Sequence, residues 1–382
     1  MKKFLLLFAL AVVAMSCGDH CPCPSNEIWY TSADGNIVEP YSGEHSQDNF
    51  TVFGANIISN EYDADKKCWV ITFDGDITTI GENAFLRCSS LTSITIPDCV
   101  TTFGDYAFYG CSSLTSVTIP DGVTTFGNYT FYGCSSLTSA TIPDNVTTIG
   151  SNAFYGCRSL TSVTIPDSVT TIGDYAFYDC RSLISMTIPD SVTTIGDSAF
   201  EGCSSLTEFR GKCASEDGRC LIIDGTLKSF APAGLTTYSI PDSVTTIGDY
   251  AFAGCRCLTS ITIPDSLATI GGRAFYDCCS LTSVAIPDSL TMIEWCAFQF
   301  CSSLTSVTIG DSVTTIGDSS FYECSSLTSV YCKAITPPTG SYDMFYNISS
   351  KGKIYVPMAS VEAYKAAEYW SSYADAIIGY VF

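Results

Sequence analysis

Apolar residues return along this chain with a fixed long period. Residues 114–136 read "LTSVTIPDGVTTFGNYTFYGCSS", and close copies of that phrase run from about residue 76 to 331 with their apolar positions in phase. Within the unit, Leu114, Val117 and Ile119 fit a short strand that has Ser116 and Thr118 on its other face. Pro120-Asp121 predicts a turn, because proline pre-sets the bend and ends the strand's hydrogen bonding. Val123 and Phe126 bring apolar groups back to the interior, and Gly127 breaks the chain again. In the preceding unit, Ala107, Phe108 and Cys111 are expected on one side of a single helical turn, with Tyr109 pointing away.

The cysteines mark the period. Cys88, Cys111, Cys134, Cys157, Cys180 and Cys203 are 23 residues apart, as are Cys255, Cys278, Cys301 and Cys324. Between Cys203 and Cys255 the step is 52 (255 − 203), two repeats plus six, and it contains "GKCASEDGRCLIIDGTLKSFAPAG". About eleven coils follow, a ladder roughly 50 Å long at ~4.8 Å per strand. One coil buries too little apolar surface to stand alone, so stacking on neighbours is what makes the array stable.

The pattern L-x-x-V-x-I-P, then V-x-x-I-G, then A-F-x-x-C resembles a leucine-rich repeat. Its period and its "AF…C" tail are similar to the BspA-type repeat of bacterial surface proteins. The fold expected is a repeat solenoid, a parallel β ladder with short helical turns and a 23-residue period, capped at both ends. Residues 26–75, with "EIWYTSADGNIV" and "CWVITFDGDI", read as the N-terminal β cap. The solenoid is placed at 76–331, with the irregular insert at about 208–237. Residues 332–382 resemble the family's closing cap, with Val361, Tyr364, Ala367 and Trp370 as a helical stripe over the last coil.

The N-terminus changes the expected location. Lys2 and Lys3 precede "FLLLFALAVVAM", too short a run to span a bilayer but suited to a signal peptide. Cys17 after "AMS" resembles the lipobox of bacterial lipoproteins, with Ala14 where a branched residue is usual. The resemblance implies signal peptide 1–16, lipidation at Cys17, a tether over 17–25 and an outer-membrane lipoprotein at the cell surface. Without lipidation the protein would be secreted. Membrane attachment is expected only through that anchor.

Composition narrows the function. A 46% apolar and 13% aromatic content fits a packed core. The net charge of −22 argues against nucleic acid as a partner, which needs a basic face. Catalytic chemistry is not expected: both histidines, His20 and His45, precede the repeats, and no nucleophile–base set or phosphate loop is present. No cofactor is expected.

Several constellations carry chemistry in principle. The cysteine ladder reads as buried thiols in an inward apolar slot. Cys213 and Cys220 are the pair placed best for a disulfide. Cys17, His20, Cys21 and Cys23 have the residue types of a metal cluster, but lipidation of Cys17 would remove one ligand. Asp98, Asp121, Asp144, Asp167 and Asp190, then Asp242, Asp265, Asp288 and Asp311, form a column after the prolines; it reads as turn-forming, with calcium between coils as the alternative. The "DSV" triplets look like O-glycosylation acceptors of some bacterial surface proteins.

Two faces are candidates for binding. The first is the strand face with Ser116, Thr118, Ser139, Thr141, Ser162 and Thr164, which offers many weak hydrogen bonds. The second is the stripe of Tyr109, Tyr132, Tyr155 and Tyr178, since tyrosine is enriched at interfaces and stacks on sugars. The family resemblance implies adhesion to host matrix proteins or other cells. The expected protein is a monomer that takes an extracellular protein or glycan. The alternatives are a glycan-binding surface protein and a structural spacer without a ligand.

Overall fold

The computed structural model describes residues 23–41, 52–341 and 343–382. The repeats form a parallel β-solenoid of about 13 turns with a period of roughly 23 residues. Three strands come first: β1 (Glu27–Ser32), β2 (Ile57–Asp63) and β3 (Cys68–Phe73) pair antiparallel in the order β2-β3-β1. β4 (Thr79–Ile80) opens the second side of the solenoid and β5 (Leu91–Thr95) the first. β1 lies antiparallel along the edge of β5, and the later rungs are parallel except in the insert, where Cys220–Ile223 pairs antiparallel with Thr226–Phe230.

Each coil has three sides. The first is a strand such as Ser116–Thr118, with Val117 inward and its neighbours outward, because alternate side chains point to opposite faces. The Pro-Asp turn follows, closed by the Val123 amide donating to the Pro120 carbonyl at 3.0 Å. A two-residue strand, Thr125–Phe126, makes the second side.

The third side departs from expectation. Residues 105–110 are successive turns rather than a helical turn, with Tyr106 at φ 58° and Gly110 at φ 73°. Their amides turn toward the next coil. Tyr106, Phe108 and Gly110 donate to the carbonyls of Asn128, Thr130 and Tyr132 at 2.7–2.9 Å. A helix would spend those donors within the coil; here they build a third ladder between coils.

Buried columns run through the centre. Leu114, Val123, Ala107, Phe108 and Cys111 are fully buried, and so are their counterparts in neighbouring coils except Cys88, which is half-buried. Phe108 stacks on Phe85 and Phe131 at 5.3 and 5.2 Å. This column continues through Phe154 and Phe177 to Phe200, and it restarts at Phe252. The core is divided accordingly into two clusters that meet at the insert. Close stacking also explains a glycine: a Cβ on Gly150 would lie 2.6 Å from the Gly127 carbonyl oxygen.

The ladder is longer than the eleven coils counted from the motif. Lys353–Pro357 and Ile377–Tyr380 add two parallel rungs beyond Ser329–Cys332, although the repeat phrase has ended. Helix α1 (Val361–Ala366) is short and stops before Ala367, which is extended. Of the expected stripe, Tyr364 and Trp370 are fully buried; Tyr364 donates to the Ala334 carbonyl, and the Trp370 indole to that of Pro338, both at 2.8 Å.

Candidate functional site

The strand face is a row of parallel rungs in register. Ser139 pairs with Ser162 and Thr141 with Thr164, while Ser116 and Thr118 pair with Ser93 and Thr95. Thr118, Ser139, Thr141, Ser162 and Thr164 are exposed and Ser116 is partly so. Within the described residues none of these six hydroxyls bonds to the chain. The threonines just before each strand behave differently. The hydroxyls of Thr115, Thr138 and Thr161 donate to the carbonyls of Thr92, Thr115 and Thr138, one coil back, at 3.0–3.2 Å. One hydroxyl column stitches coils together, and two others face solvent unspent.

The tyrosine stripe is present, but its rings are turned toward one another. Tyr109, Tyr132, Tyr155 and Tyr178 stack at 4.5–4.6 Å with planes within 11°. Coil spacing matches the thickness of stacked rings, so neighbouring tyrosines settle face to face. Ring faces are therefore spent inside the stack, and edges and hydroxyls are what it offers outward. Burial raises the phenol pKa of Tyr132, Tyr155 and Tyr178, to about 12 at Tyr178.

The remaining candidates resolve as follows. Cys111, Cys134, Cys157, Cys180 and Cys203 are buried free thiols, each donating to a phenylalanine carbonyl of the preceding coil at 3.1–3.2 Å. Cys213 and Cys220 are unbridged, and the Cys220 sulfur lies 3.2 Å from the Tyr238 hydroxyl. The aspartate column is exposed at the turns, and among the described residues no three His, Cys, Asp or Glu side chains are grouped to hold a metal. Ser168 and Ser191 of the "DSV" triplets donate to the Val146 and Val169 carbonyls at 2.7 Å, which occupies their hydroxyls. Cys17, His20, Cys21 and His45 lie outside the described residues; Cys23 donates to the Glu27 carbonyl at 3.1 Å. No helix among the described residues is long and apolar enough to cross a membrane.

Sequence reasoning missed an aromatic cluster on the same strand face near its far end. Tyr331 and Tyr355 stack at 4.7 Å, and Tyr380 packs edge-on to both at 5.5 and 5.6 Å. The signal lay in Tyr331 and Tyr355 occupying the strand position that Thr118 holds in earlier coils, but Tyr355 and Tyr380 follow no recognisable repeat phrase.

A model of the BspA type leucine rich repeat region matches residues 56–180, 126–214 and 226–352. A leucine rich cell surface protein from Faecalibacterium prausnitzii is 31% identical, with 67% of this chain and 76% of that one covered and a TM-score of 0.54. A leucine-rich repeat protein from Eubacterium ventriosum is 27% identical over 74% of this chain and 70% of that one, with a TM-score of 0.50. The pneumococcal vaccine antigen PcpA shares the fold at 19% identity, with 85% and 88% covered and a TM-score of 0.56. No curated protein matches the sequence.

Proposed function

The chain belongs to the BspA type leucine rich repeat family, and from that premise we propose that it is a cell-surface protein that binds other macromolecules. The role proposed is adhesion to host matrix proteins or other cells, without catalysis. One observation carries it: Ser116, Thr118, Ser139, Thr141, Ser162 and Thr164 form a broad parallel face whose hydroxyls have no partner among the described residues. Contacts along such a face are individually weak and gain strength from number and from many copies on one membrane. The charge of −22 favours basic or neutral partners and a salt-sensitive encounter. Lipidation at Cys17 is the proposed anchor, on an outer membrane facing outward, and the unlipidated protein would be secreted.

Glycan capture by the tyrosine stripe is the weaker reading, because sugar stacking needs an open ring face and Tyr132 and Tyr155 are stacked on both sides. The test is binding of the purified lipid-free protein to matrix proteins and glycans at low and physiological salt. Saturable binding to a matrix protein, reduced by Thr141→Glu with Thr164→Glu, supports the proposal. A blank panel from a cooperatively melting protein overturns it and leaves a spacer.

A further inference from the structure

The coil after Cys203 lacks most of its third side. From the second-side strand to the leucine before the next first-side strand, a regular coil takes 12 residues (Thr246 to Leu258, 258 − 246). In the insert the same crossing takes nine (Thr226 to Leu235, 235 − 226). Residues 228–234 therefore cut inward across the solenoid instead of following its outline. Phe209 packs edge-on against Phe200, and Phe230 packs against Phe252, so the buried phenylalanine column is filled from inside. Outside that floor a notch of about 380 Å³ remains.

The walls of the notch are the interrupted third ladder. Below it, Tyr175, Phe177 and Asp179 donate to Asp197, Ala199 and Glu201; above it, Tyr250, Phe252 and Gly254 donate to Gly272, Ala274 and Tyr276. At the notch itself the rung is missing. The amides of Ser198, Phe200 and Gly202 have no acceptor among the described residues, and the carbonyls of Asp249, Ala251 and Ala253 have no donor. One wall thus presents three N–H groups and the other three C=O groups. The Ser198 hydroxyl, on the N–H wall, is buried beside Tyr175 and Glu201. Unsatisfied backbone groups at such a density are costly unless something fills them.

The sequence keeps the notch open. Tyr109, Tyr132, Tyr155 and Tyr178 hold one place in their coils; the residues in that place are Glu201 on the lower wall and Ala253 on the upper. Charge in the slot is mixed: Lys228, Glu201 and Arg256 line it, Asp197 and Asp249 lie near Lys228, and Arg256 is paired with Asp277.

We propose that this notch binds a peptide segment of a partner protein that takes the same run of turns, lies parallel to residues 198–202 and completes the missing rung. Its carbonyls accept from Ser198, Phe200 and Gly202, and its amides donate to Asp249, Ala251 and Ala253. Small or uncharged side chains suit the apolar floor of Phe230 and Pro232. The amino end of the segment lies toward the aspartates and its carboxyl end toward Arg256. As in strand addition, main-chain bonds supply the affinity, here to a ladder of turns. The site is separate from the hydroxyl-lined face and does not depend on it.

The probe is a labelled peptide of residues 150–156, Gly-Ser-Asn-Ala-Phe-Tyr-Gly, which makes this rung in its own coil. Saturable binding to the full chain is expected. The same peptide N-methylated at its Asn and Phe should bind at least tenfold more weakly, since two donors are lost. Ala253→Tyr should also weaken binding at least tenfold with an unchanged melt, because tyrosine already fills that place in neighbouring coils. Absence of binding, or equal binding of the methylated peptide to the unaltered protein, overturns the proposal. So does a concentration-dependent dimer that Ala253→Tyr abolishes while peptide binding is nil, which would make a second copy the occupant. Matrix binding through the strand face should be untouched by Ala253→Tyr, so failure of one site is distinguishable from failure of the other.

Discussion

The thiol of Cys134 donates to the carbonyl oxygen of Phe108, 3.2 Å away in the preceding coil. The same carbonyl accepts the Cys111 amide of its own coil at 3.2 Å. Cys111, Cys134, Cys157, Cys180 and Cys203, and likewise Cys278, Cys301 and Cys324, therefore each join two coils at a buried point. Cys134→Ala is expected to destabilise the protein by about 1–2 kcal/mol, from a lost hydrogen bond and a small cavity. Exposed Cys257, changed to alanine, should stay within about 0.5 kcal/mol of the parent. Urea unfolding of the two variants checks the contrast, and equal effects would remove the structural role of the ladder.

Two threonines three residues apart separate structure from surface. Thr138 bonds back to Thr115, whereas Thr141 is exposed and unbonded. Thr138→Ala should cost about 0.5–1.5 kcal/mol, and Thr141→Ala should leave stability within about 0.5 kcal/mol. If Thr141→Ala is the more damaging in a urea titration, the strand-face hydroxyls are structural and not free for a ligand.

The parts of the fold legible in the sequence were those set by short-range alternation. Val117 inward between Ser116 and Thr118, the Pro120-Asp121 turn and the inward cysteine slot all follow from which side chains tolerate burial. The third ladder was not legible, because Tyr106 takes a left-handed conformation that its residue type does not announce, and "AFYGC" reads equally as a helical turn. The rungs at Lys353–Pro357 and Ile377–Tyr380 were missed because coil stacking there is set by backbone pairing after the repeated side chains have ended. At the candidate site, the positions of Tyr132 and Tyr155 were predictable. Their face-to-face stacking, which decides what they offer a ligand, arises from the spacing between coils.

The divided core predicts local unfolding. Phe298 stacks on Phe275 and Phe321 within the second cluster, and no phenylalanine of the first cluster touches it. In a solenoid each coil is stabilised mainly by its neighbours. Phe298→Ala, costing about 3–5 kcal/mol, should raise amide hydrogen exchange from about Cys255 to Val356. Protection between Ile94 and Phe177 should be unchanged. A uniform rise across both halves would show that the insert transmits stability as well as an ordinary coil does.

The thiol column also predicts alkaline instability. Burial raises the pKa of Cys157 and Cys180 above the ordinary value of 9.0. The folded protein therefore keeps protons that the unfolded chain releases above that value. This contribution is fully present below about pH 8.5 and is lost as pH rises from there toward the folded values. Each thiol held neutral steepens the loss by up to about 1.4 kcal/mol per pH unit. Unfolding free energy from urea titrations should be nearly flat in its cysteine-dependent part from about pH 6 to 8 and fall above about pH 9. Tyrosines such as Tyr178 add to the fall at higher pH, so the decisive comparison is with a Cys157→Ala/Cys180→Ala variant. Its slope between about pH 9.5 and 10.5 should be shallower by roughly 2–3 kcal/mol per pH unit. An unchanged slope would mean that these two thiols ionise as readily in the fold as in the unfolded chain.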